Sequence, residues 1–200
     1  MTTLTKPKLT FANFLAQCPD EGRFEFVNGE IVEMSNTRQH KIIAEFILFL
    51  LNDEIRRSQS NFIVTTQATI RTFNKKGNEQ GRVPDVSVID RTLWRSAPTD
   101  YAALTEPIQL AVEVVSTNWE NDYVDKLYEY EKLGIKEYWI VDYLAIASRA
   151  LIGDPKFPTI SVYTLNEENQ YTLQQFRDEE KIISLTFAEL QIAPAQIFQA

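Results

Sequence analysis

The chain has 200 residues, of which 44% are hydrophobic and 12% are aromatic, so it is long and apolar enough for one domain with a substantial core. Its single cysteine, Cys18, excludes an intrachain disulfide and a cysteine zinc cluster. The formal net charge of −8 argues against a generally basic surface for nucleic acid, and confines any such binding to a local groove.

Hydrophobic spacing and turn residues predict the elements of the N-terminal half. Thr10 is a capping residue in front of apolar side chains at helical spacing. Asn28-Gly29 joins two alternating runs and is the strongest short signal for a hairpin. The run Phe62–Phe73 alternates and is rich in Val, Ile and Thr, which favours one strand. The predicted elements are helices over 10–17 and 37–58, strands over 23–27, 30–34, 62–73 and 83–89, and a polar turn over 74–81.

The C-terminal half contains the run IQLAVEVV, which is apolar on both faces, as in a strand that helices cover on both sides. A helical segment follows it and ends at Gly134, a natural C-cap. Strand, helix and strand in this order indicate the βαβ unit of a partly parallel sheet. The predicted elements are strands over 108–115 and 137–141, a helix over 122–133, a further hairpin after 161 and a short helix from Phe187.

These elements predict one α/β domain with a central mixed β-sheet flanked by helices. The domain has an N-terminal hairpin over 23–34, a core over about 37–143 and a C-terminal β extension over 160–200. The N-terminus lacks the apolar run of a signal peptide. The stretch Phe46–Leu51 is far shorter than the roughly 20 residues that a membrane span needs. We therefore expect a cytoplasmic protein with no membrane partner.

Two carboxylates stand out in these strands. Glu113 points away from the face that carries Leu110, Val112 and Val114, in the middle of a central strand. A buried charge is costly unless it is paired or binds a metal ion. Asp85 follows a proline at the start of another strand. A hard cation such as Mg²⁺ or Mn²⁺ would relieve the repulsion between two neighbouring carboxylates. A structural salt bridge for Glu113 and an ordinary turn for Asp85 are the alternatives.

Lys126 is the candidate cation of the same site. With Tyr123 at 0° on a helical wheel, Lys126 falls at about 300°, inside the apolar stripe. A lysine on the inner face needs a carboxylate or a phosphate nearby. The alternative is a surface pair with Asp122, which would contribute only about 0.2–0.5 kcal/mol.

The order of these segments resembles the PD-(D/E)xK superfamily, and more closely a bacterial family of uncharacterised restriction-endonuclease-like proteins. The resemblance covers most of the chain and implies a restriction-endonuclease-like fold. It also implies metal-dependent hydrolysis of DNA phosphodiester bonds, with Mg²⁺ or Mn²⁺ as cofactor. It rests on the order and spacing of RFEFVNGEIVEMS, His40 at the start of a helix, RVPDVSVID, LAVEVVS and DKLYEYEKLGIKEYWIVD.

Carried over residue by residue, the resemblance makes Asp85 and Glu113 metal ligands, and the backbone carbonyl of Val114 completes the coordination. The sequence departs from the superfamily at Val115, where a lysine is usual. Some members supply that lysine from the following helix, and Lys126 is the matching residue. Its positive charge would orient the attacking water and stabilise the transition state.

The resemblance also implies a further acidic catalytic residue from the N-terminal part of the chain. Glu25 and Glu30 in the hairpin match the closer family, and Glu45 matches the first helix of such folds. We choose Glu25 and leave the other two open. His40, the only histidine, has a pKa range that suits a general base, although lone histidines near helix starts are more often structural.

DNA contacts are predicted at a local basic cluster around the turn before Asp85, where cations could bind phosphates. A solvated hairpin tip is the alternative for the same residues. Apolar side chains of the predicted C-terminal hairpin favour a homodimer whose two sites would face both strands of a duplex. The cluster consists of Arg71, Lys75, Lys76 and Arg82, and the apolar side chains are Ile160, Val162, Tyr163 and Leu165.

The sequence therefore predicts a metal-dependent endonuclease that acts on DNA. The alternative is a catalytically inactive protein that keeps the nuclease fold and serves as an interaction module. The acidic composition and the missing lysine at Val115 favour that alternative. A metal-dependent enzyme that acts on RNA or another phosphodiester is a third hypothesis, because the fold alone does not determine function.

Overall fold

Two mixed β-sheets with helices packed around them form the computed structural model, which describes residues 8–19, 21–97 and 101–200. The strands are β1 Phe24–Val27, β2 Glu30–Glu33, β3 Phe62–Thr65, β4 Thr69–Phe73, β5 Glu79–Arg82, β6 Val86–Asp90, β7 Ala103–Leu104, β8 Leu110–Val114, β9 Glu137–Asp142, β10 Thr159–Leu165 and β11 Tyr171–Phe176. The helices are α1 Phe11–Gln17, α2 Arg38–Ser58, α3 Arg91–Arg95, α4 Leu127–Leu133, α5 Arg149–Ile152 and α6 Pro194–Phe198. A π-helical segment, Asn121–Lys126, continues directly into α4.

The larger sheet has six strands in the order β11-β10-β9-β8-β6-β3, and the smaller one has five in the order β2-β1-β5-β4-β7. Strands β8 and β9 run parallel, and the connection between them contains α4. This confirms the predicted βαβ unit. The other strand pairs of the larger sheet are antiparallel, so the predicted mixed sheet is also confirmed.

The larger sheet is covered on both faces, which explains the continuous apolar run of β8. On one face, Ile43 and Ile47 of α2 pack in a cluster with Leu110 and Val112. On the other face, Tyr130 of α4 packs in a second cluster that also contains Ala111 and Val115. Alternate residues of β8 therefore enter different cores, and every residue of the strand is buried.

Local signals placed several elements correctly. The hydroxyl of Thr10 accepts a hydrogen bond from the backbone N–H of Asn13 at 3.2 Å, which caps α1. Asn28 and Gly29 both have positive φ, at 54° and 91°, as a type I′ hairpin turn requires. Gly134 ends α4 in the left-handed conformation. Each signal acts between residues close in the sequence.

One strand prediction and one turn prediction are wrong. The run 62–73 is not one strand, because β3 pairs in the larger sheet and β4 in the smaller one. The polar turn is shorter than 74–81, because the side chain of Asn74 accepts hydrogen bonds from the backbone N–H groups of Lys76 and Asn78. This closes the turn early and lets Glu79 begin β5.

The short helix predicted from Phe187 is also wrong. The chain around Phe187 stays irregular. Several of its apolar side chains are buried separately in the hydrophobic core cluster that also contains residues of α2. The backbone N–H of Phe187 donates to the hydroxyl of Ser184 at 3.0 Å. A short helix, α6, forms further along the chain. The buried side chains are Ile182, Phe187, Leu190 and Ile192.

The fold also bears on two expectations about partners. The predicted C-terminal hairpin forms as β10 and β11, and its apolar residues Ile160, Val162, Tyr163 and Leu165 are buried within the chain. They therefore no longer support a homodimer, which stays a prediction. In the described ranges, none of the helices combines the length and the apolar character needed to cross a bilayer.

Candidate active site

Strands β6 and β8 bring Asp85 and Glu113 side by side. Val86 pairs with Val112 in an antiparallel register, so the next step places Asp85 opposite Glu113. Directly opposed residues lie on the same face of a sheet, with Cβ atoms roughly 4.5–5.5 Å apart. Both carboxylates are almost fully buried. The pair predicted from the sequence is therefore adjacent, although its role as a metal site stays a prediction.

Asp85 is held by contacts on both of its oxygens. Its Oδ2 accepts a hydrogen bond of 2.8 Å from the backbone N–H of Val114 and lies 2.8 Å from Nε2 of His40. Its Oδ1 forms an ion pair with the guanidinium of Arg23 and lies 3.4 Å from the amide of Asn36. Burial works to raise the pKa of Asp85, but His40 and Arg23 outweigh it and lower the pKa. This carboxylate is therefore ionised and fixed in orientation.

The smaller sheet supplies Glu25 and Arg82. Phe26 of β1 pairs with Gly81 of β5, so Glu25 lies opposite Arg82 and forms an ion pair at 3.2 Å. Gly81 suits this close packing, because an added Cβ would stand 3.0 Å from the ring of Phe11, which would have to shift slightly. Lys126 and Arg82 lower the pKa of Glu25, despite burial that works to raise it. The site thus draws residues from both sheets.

The side chain of Lys126 lies between three carboxylates. Its Nζ is 3.0 Å from Glu113, 3.3 Å from Asp122 and 3.5 Å from Glu25. Although burial works to lower the pKa of Lys126, Glu113 and Glu25 raise it, so the ammonium keeps its charge. The inner-face position predicted for Lys126 is confirmed. The pair with Asp122 also forms, but it is buried and not on the surface.

Of the three acids near Lys126, Glu113 and Asp122 resist ionisation, unlike Glu25. Burial raises the pKa of Glu113 to about 8, and the charge of Asp85 works in the same direction although Lys126 opposes it. Burial likewise raises the pKa of Asp122 to about 6, against the effect of Lys126. The hydroxyl of Tyr130 donates to Oε1 of Glu113 at 2.8 Å. In the absence of another cation, the raised pKa of Glu113 therefore favours a proton on this carboxyl group near neutral pH, which limits the negative charge.

The charge of this cluster bears on whether a metal ion fits. Five carboxylates face three fixed cations, which leaves two excess negative charges when every acid is ionised. One divalent cation would neutralise that excess, and oxygen donors are the ligands that Mg²⁺ and Mn²⁺ prefer. Within the described residues, no group of three or more His, Cys, Asp or Glu side chains is arranged as a ready-made metal shell. The residues fit a divalent ion in charge and donor type. The carboxylates are Glu25, Asp85, Glu113, Asp122 and Glu129, and the cations are Arg23, Arg82 and Lys126.

Arg23 and Tyr130 of the cluster were not found from the sequence. Arg23 alternates with Glu25, which the sequence did single out, and shares a strand face with it, which was a usable signal. Tyr130 follows Lys126 by one helical turn on the same apolar stripe. From the sequence, His40 was interpreted chiefly as a structural residue, but it lies 4% exposed against Asp85. Only the contact with Asp85 in the folded chain shows that His40 belongs to the site.

The other two N-terminal carboxylates lie outside the cluster. Glu30 is exposed at the start of β2, and Glu45 is exposed on α2. Neither makes an ion pair with Lys126, whereas Glu25 does. Among the three alternatives, the geometry therefore supports Glu25.

The predicted phosphate contacts need one correction. Arg82 is 3% exposed and is bound by Glu129 through two hydrogen bonds of 2.8 Å, which contradicts its predicted role at the surface. Arg71 is half-buried and paired with Glu79. Lys75 and Lys76 are exposed at the hairpin tip, so a phosphate contact stays a prediction for these two. Partial exposure leaves Arg71 a predicted contact as well.

We expect the Arg82→Ala change to lower the free energy of unfolding by about 3–5 kcal/mol, because it leaves Glu129 and Glu25 buried without their cation. Lys75→Ala with Lys76→Ala should leave stability within about 0.5 kcal/mol, since both side chains are exposed. Urea unfolding of the variants measures both effects. Equal stability of Arg82→Ala and the wild-type chain would contradict the buried ion pairs.

Carboxylates of the cluster line a cavity of about 380 Å³. Its wall includes Asp85, Glu113 and Lys126, together with the loops that follow β2 and β8. The volume lies within the range of small-molecule pockets, roughly 300–1,000 Å³. The cavity is therefore large enough for a phosphate group and its neighbouring sugar to approach the acids.

Comparisons with known proteins agree with this architecture. A solved structure from Anabaena variabilis, described as a putative nuclease belonging to DUF820, matches with a TM-score of 0.71 at 18% identity. The match covers 96% of this chain and 98% of that chain, and it confirms the predicted restriction-endonuclease-like α/β fold. The comparison with curated proteins finds no match. The model of the Uma2 family, described as "Putative restriction endonuclease", matches residues 11–195, and the chain therefore belongs to this family.

Proposed function

We propose that the protein is a metal-dependent endonuclease that hydrolyses phosphodiester bonds of DNA. The observation that carries the proposal is the ammonium of Lys126, which lies 3.0 Å from Glu113 in the cavity that also contains Asp85. Two acids and a lysine on one cavity wall are the parts that positioning and charge stabilisation in phosphoryl transfer require. Membership of the Uma2 family supports nuclease chemistry in general.

Each residue would have a separate task. Lys126 would orient the attacking water and offset negative charge that develops on the phosphate. Glu25 and Glu113 hold its ammonium in position and keep it charged. Arg23 and His40 fix Asp85 in one orientation. Because these contacts exist before substrate arrives, little reorganisation is needed at the moment of reaction.

Asp85, Glu113 and the backbone carbonyl of Val114 would hold the Mg²⁺ or Mn²⁺ ion. When bound, the ion would polarise a phosphoryl oxygen and neutralise charge in the transition state. The excess negative charge of the cluster and its oxygen donors support this assignment. The raised pKa of Glu113 implies that metal binding releases a proton, so affinity should increase with pH.

The alternative, an inactive interaction module, loses one of its sequence arguments. It relied on Val115 in place of the usual lysine. The ammonium of Lys126 reaches Glu113 from the following helix, so a lysine is present beside the acids. The acidic composition still permits an interaction module, and a measurement of activity must separate the two hypotheses.

The test uses Mn²⁺ binding by calorimetry and plasmid nicking on the same samples. Glu113→Gln keeps the size of the side chain and removes the charge, and we expect it to abolish nicking and weaken Mn²⁺ binding at least about tenfold. Glu30→Gln is the matched control, because that carboxylate is exposed and lies outside both the cluster and the cavities beside it. Wild-type protein that neither binds Mn²⁺ nor nicks DNA would overturn the proposal in favour of the interaction module.

A further inference from the structure

A second and larger cavity, of about 1050 Å³, adjoins the catalytic cavity along one side of α2. We name it the α2 groove, and define it by Lys41, Glu45, Leu48, Phe49, Gln67 and Tyr101. The two cavities share Arg23, His40 and Asp85 in their walls. A ligand that lies in the groove therefore extends directly to the acids.

Two aromatic side chains of the α2 groove are left largely in water. Phe49 is 64% exposed and Tyr101 is 67% exposed. Exposed aromatic faces beside a reactive cavity are stacking platforms for flat ligands, and every nucleobase offers such a face. The amide of Gln67 and the carboxylate of Glu45 line the same groove, so polar groups are also present for the edges of a base.

The shortage of unpaired cations in this region favours the binding of a single strand over a duplex. Binding to a duplex depends on several free Lys or Arg side chains that neutralise phosphates. Of the cations that line the two cavities, Arg23, Arg82 and Lys126 are in ion pairs with carboxylates. Lys41 is exposed, and the whole chain carries a net charge of −8. Stacking depends less on charge, and it requires bases that are not paired.

The dimensions agree with a short single strand. From His40, which contacts Asp85, to Phe49 the helix rises roughly 13 Å. That length corresponds to about four stacked nucleotides at 3.4 Å each. Lys41, Glu45 and Phe49 recur every fourth residue along the same face of α2. A strand that follows this face would place its bases on the aromatic rings and a phosphate at the acids.

We propose that the α2 groove binds the unpaired nucleotides of single-stranded DNA, with bases stacked on Phe49 and Tyr101. This inference rests on the proposed nuclease function and adds its substrate class. The protein acts on single strands or single-stranded regions, and the groove holds the nucleotides next to the bond that is cut.

The test measures fluorescence anisotropy of a labelled 12-nucleotide DNA strand, of the duplex of the same sequence and of the matching RNA strand, with EDTA present to stop metal-dependent cleavage. We expect the single strand to bind at least about tenfold more tightly than the duplex, and Phe49→Ala with Tyr101→Ala to remove at least about tenfold of that affinity. Phe157→Ala is the matched control, because Phe157 is also exposed, at 47%, and lies outside the groove. Equal or tighter binding of the duplex would overturn the proposal, as would tighter binding of an RNA strand or wild-type affinity in the double variant.

Cleavage of the same molecules with Mn²⁺ separates this inference from the nuclease proposal. Stacking-dependent binding of the single strand with no cleavage leaves the groove assignment standing and overturns the nuclease proposal. Cleavage of the duplex alone, unaffected by the two aromatic substitutions, supports the nuclease proposal and overturns the groove assignment.

Discussion

Lys126→Met should slow the cleavage of DNA by about 10²–10³ and also destabilise the folded chain. The ammonium of Lys126 lies within 3.5 Å of Glu25, Glu113 and Asp122, and methionine leaves these acids buried without their cation. Removal of one partner from a buried ion pair costs about 3–5 kcal/mol. Loss of a group that stabilises charge in the transition state lowers kcat by about 10²–10³. Urea unfolding and plasmid nicking measure the two effects separately.

Lys132→Met is the control for this change, because Lys132 lies on the same helix with a side chain that is 59% exposed. It should keep both stability and cleavage. Since Lys126→Met could lose activity merely by unfolding, nicking is measured at a temperature where circular dichroism shows the variant folded. A folded variant that cleaves at the wild-type rate would refute the assigned role of Lys126.

The stability of the metal-free protein should fall as the pH rises from about 5 to about 8. Burial and the charge of Asp85 hold the pKa of Glu113 at about 8, although Lys126 opposes them; its ordinary value is 4.5. Between these values the folded state holds a proton that the unfolded state has released, so the free energy of unfolding decreases with pH. Asp122, whose pKa burial raises to about 6, contributes in the same direction at the acidic end. Because a tenfold difference in proton affinity between the folded and unfolded states corresponds to about 1.4 kcal/mol, we expect a decline of a few kcal/mol.

Glu113→Gln should flatten this dependence, because glutamine resembles the protonated acid at every pH. Near pH 8 the variant should therefore be more stable than the wild-type chain, although it has no activity. Urea unfolding in EDTA at about pH 5 and about pH 8 measures both slopes, and Glu45→Gln should keep the wild-type slope. Identical slopes in wild type and Glu113→Gln would show that this carboxyl group is ionised throughout the range. Asp85 does not contribute to the slope between these pH values, because its lowered pKa affects stability only in more acidic solution.

The parts of the fold that followed from the sequence depend on short-range interactions. The cap at Thr10, the turn at Asn28-Gly29 and the end of α4 at Gly134 all involve residues a few positions apart. The division of the run 62–73 into two strands could not be predicted from such short-range interactions. Its two halves have the same strand pattern, and only their pairing partners place them in different sheets.

The residues of the candidate site show the same difference between local sequence patterns and long-range contacts. Asp85, Glu113 and Lys126 were found because each has an unusual place in a local pattern: after proline, inside an apolar strand, or on an apolar helix face. The contacts of Arg23 with Asp85 and of Arg82 with Glu129 join residues 62 and 47 positions apart. No local pattern distinguishes a surface arginine near a turn from a buried one, and Arg82 was therefore wrongly assigned to DNA contact.

The site is built where the two sheets meet, from β1, β5, β6, β8 and the helix after β8, and this affects the protein during its synthesis. The residues that must come together span the chain from Glu25 to Lys126. A ribosome-bound chain that has not yet released Lys126 has acids without their cation and no complete centre. Activity of the proposed nuclease would therefore begin only after more than half of the chain has been made and both sheets have folded.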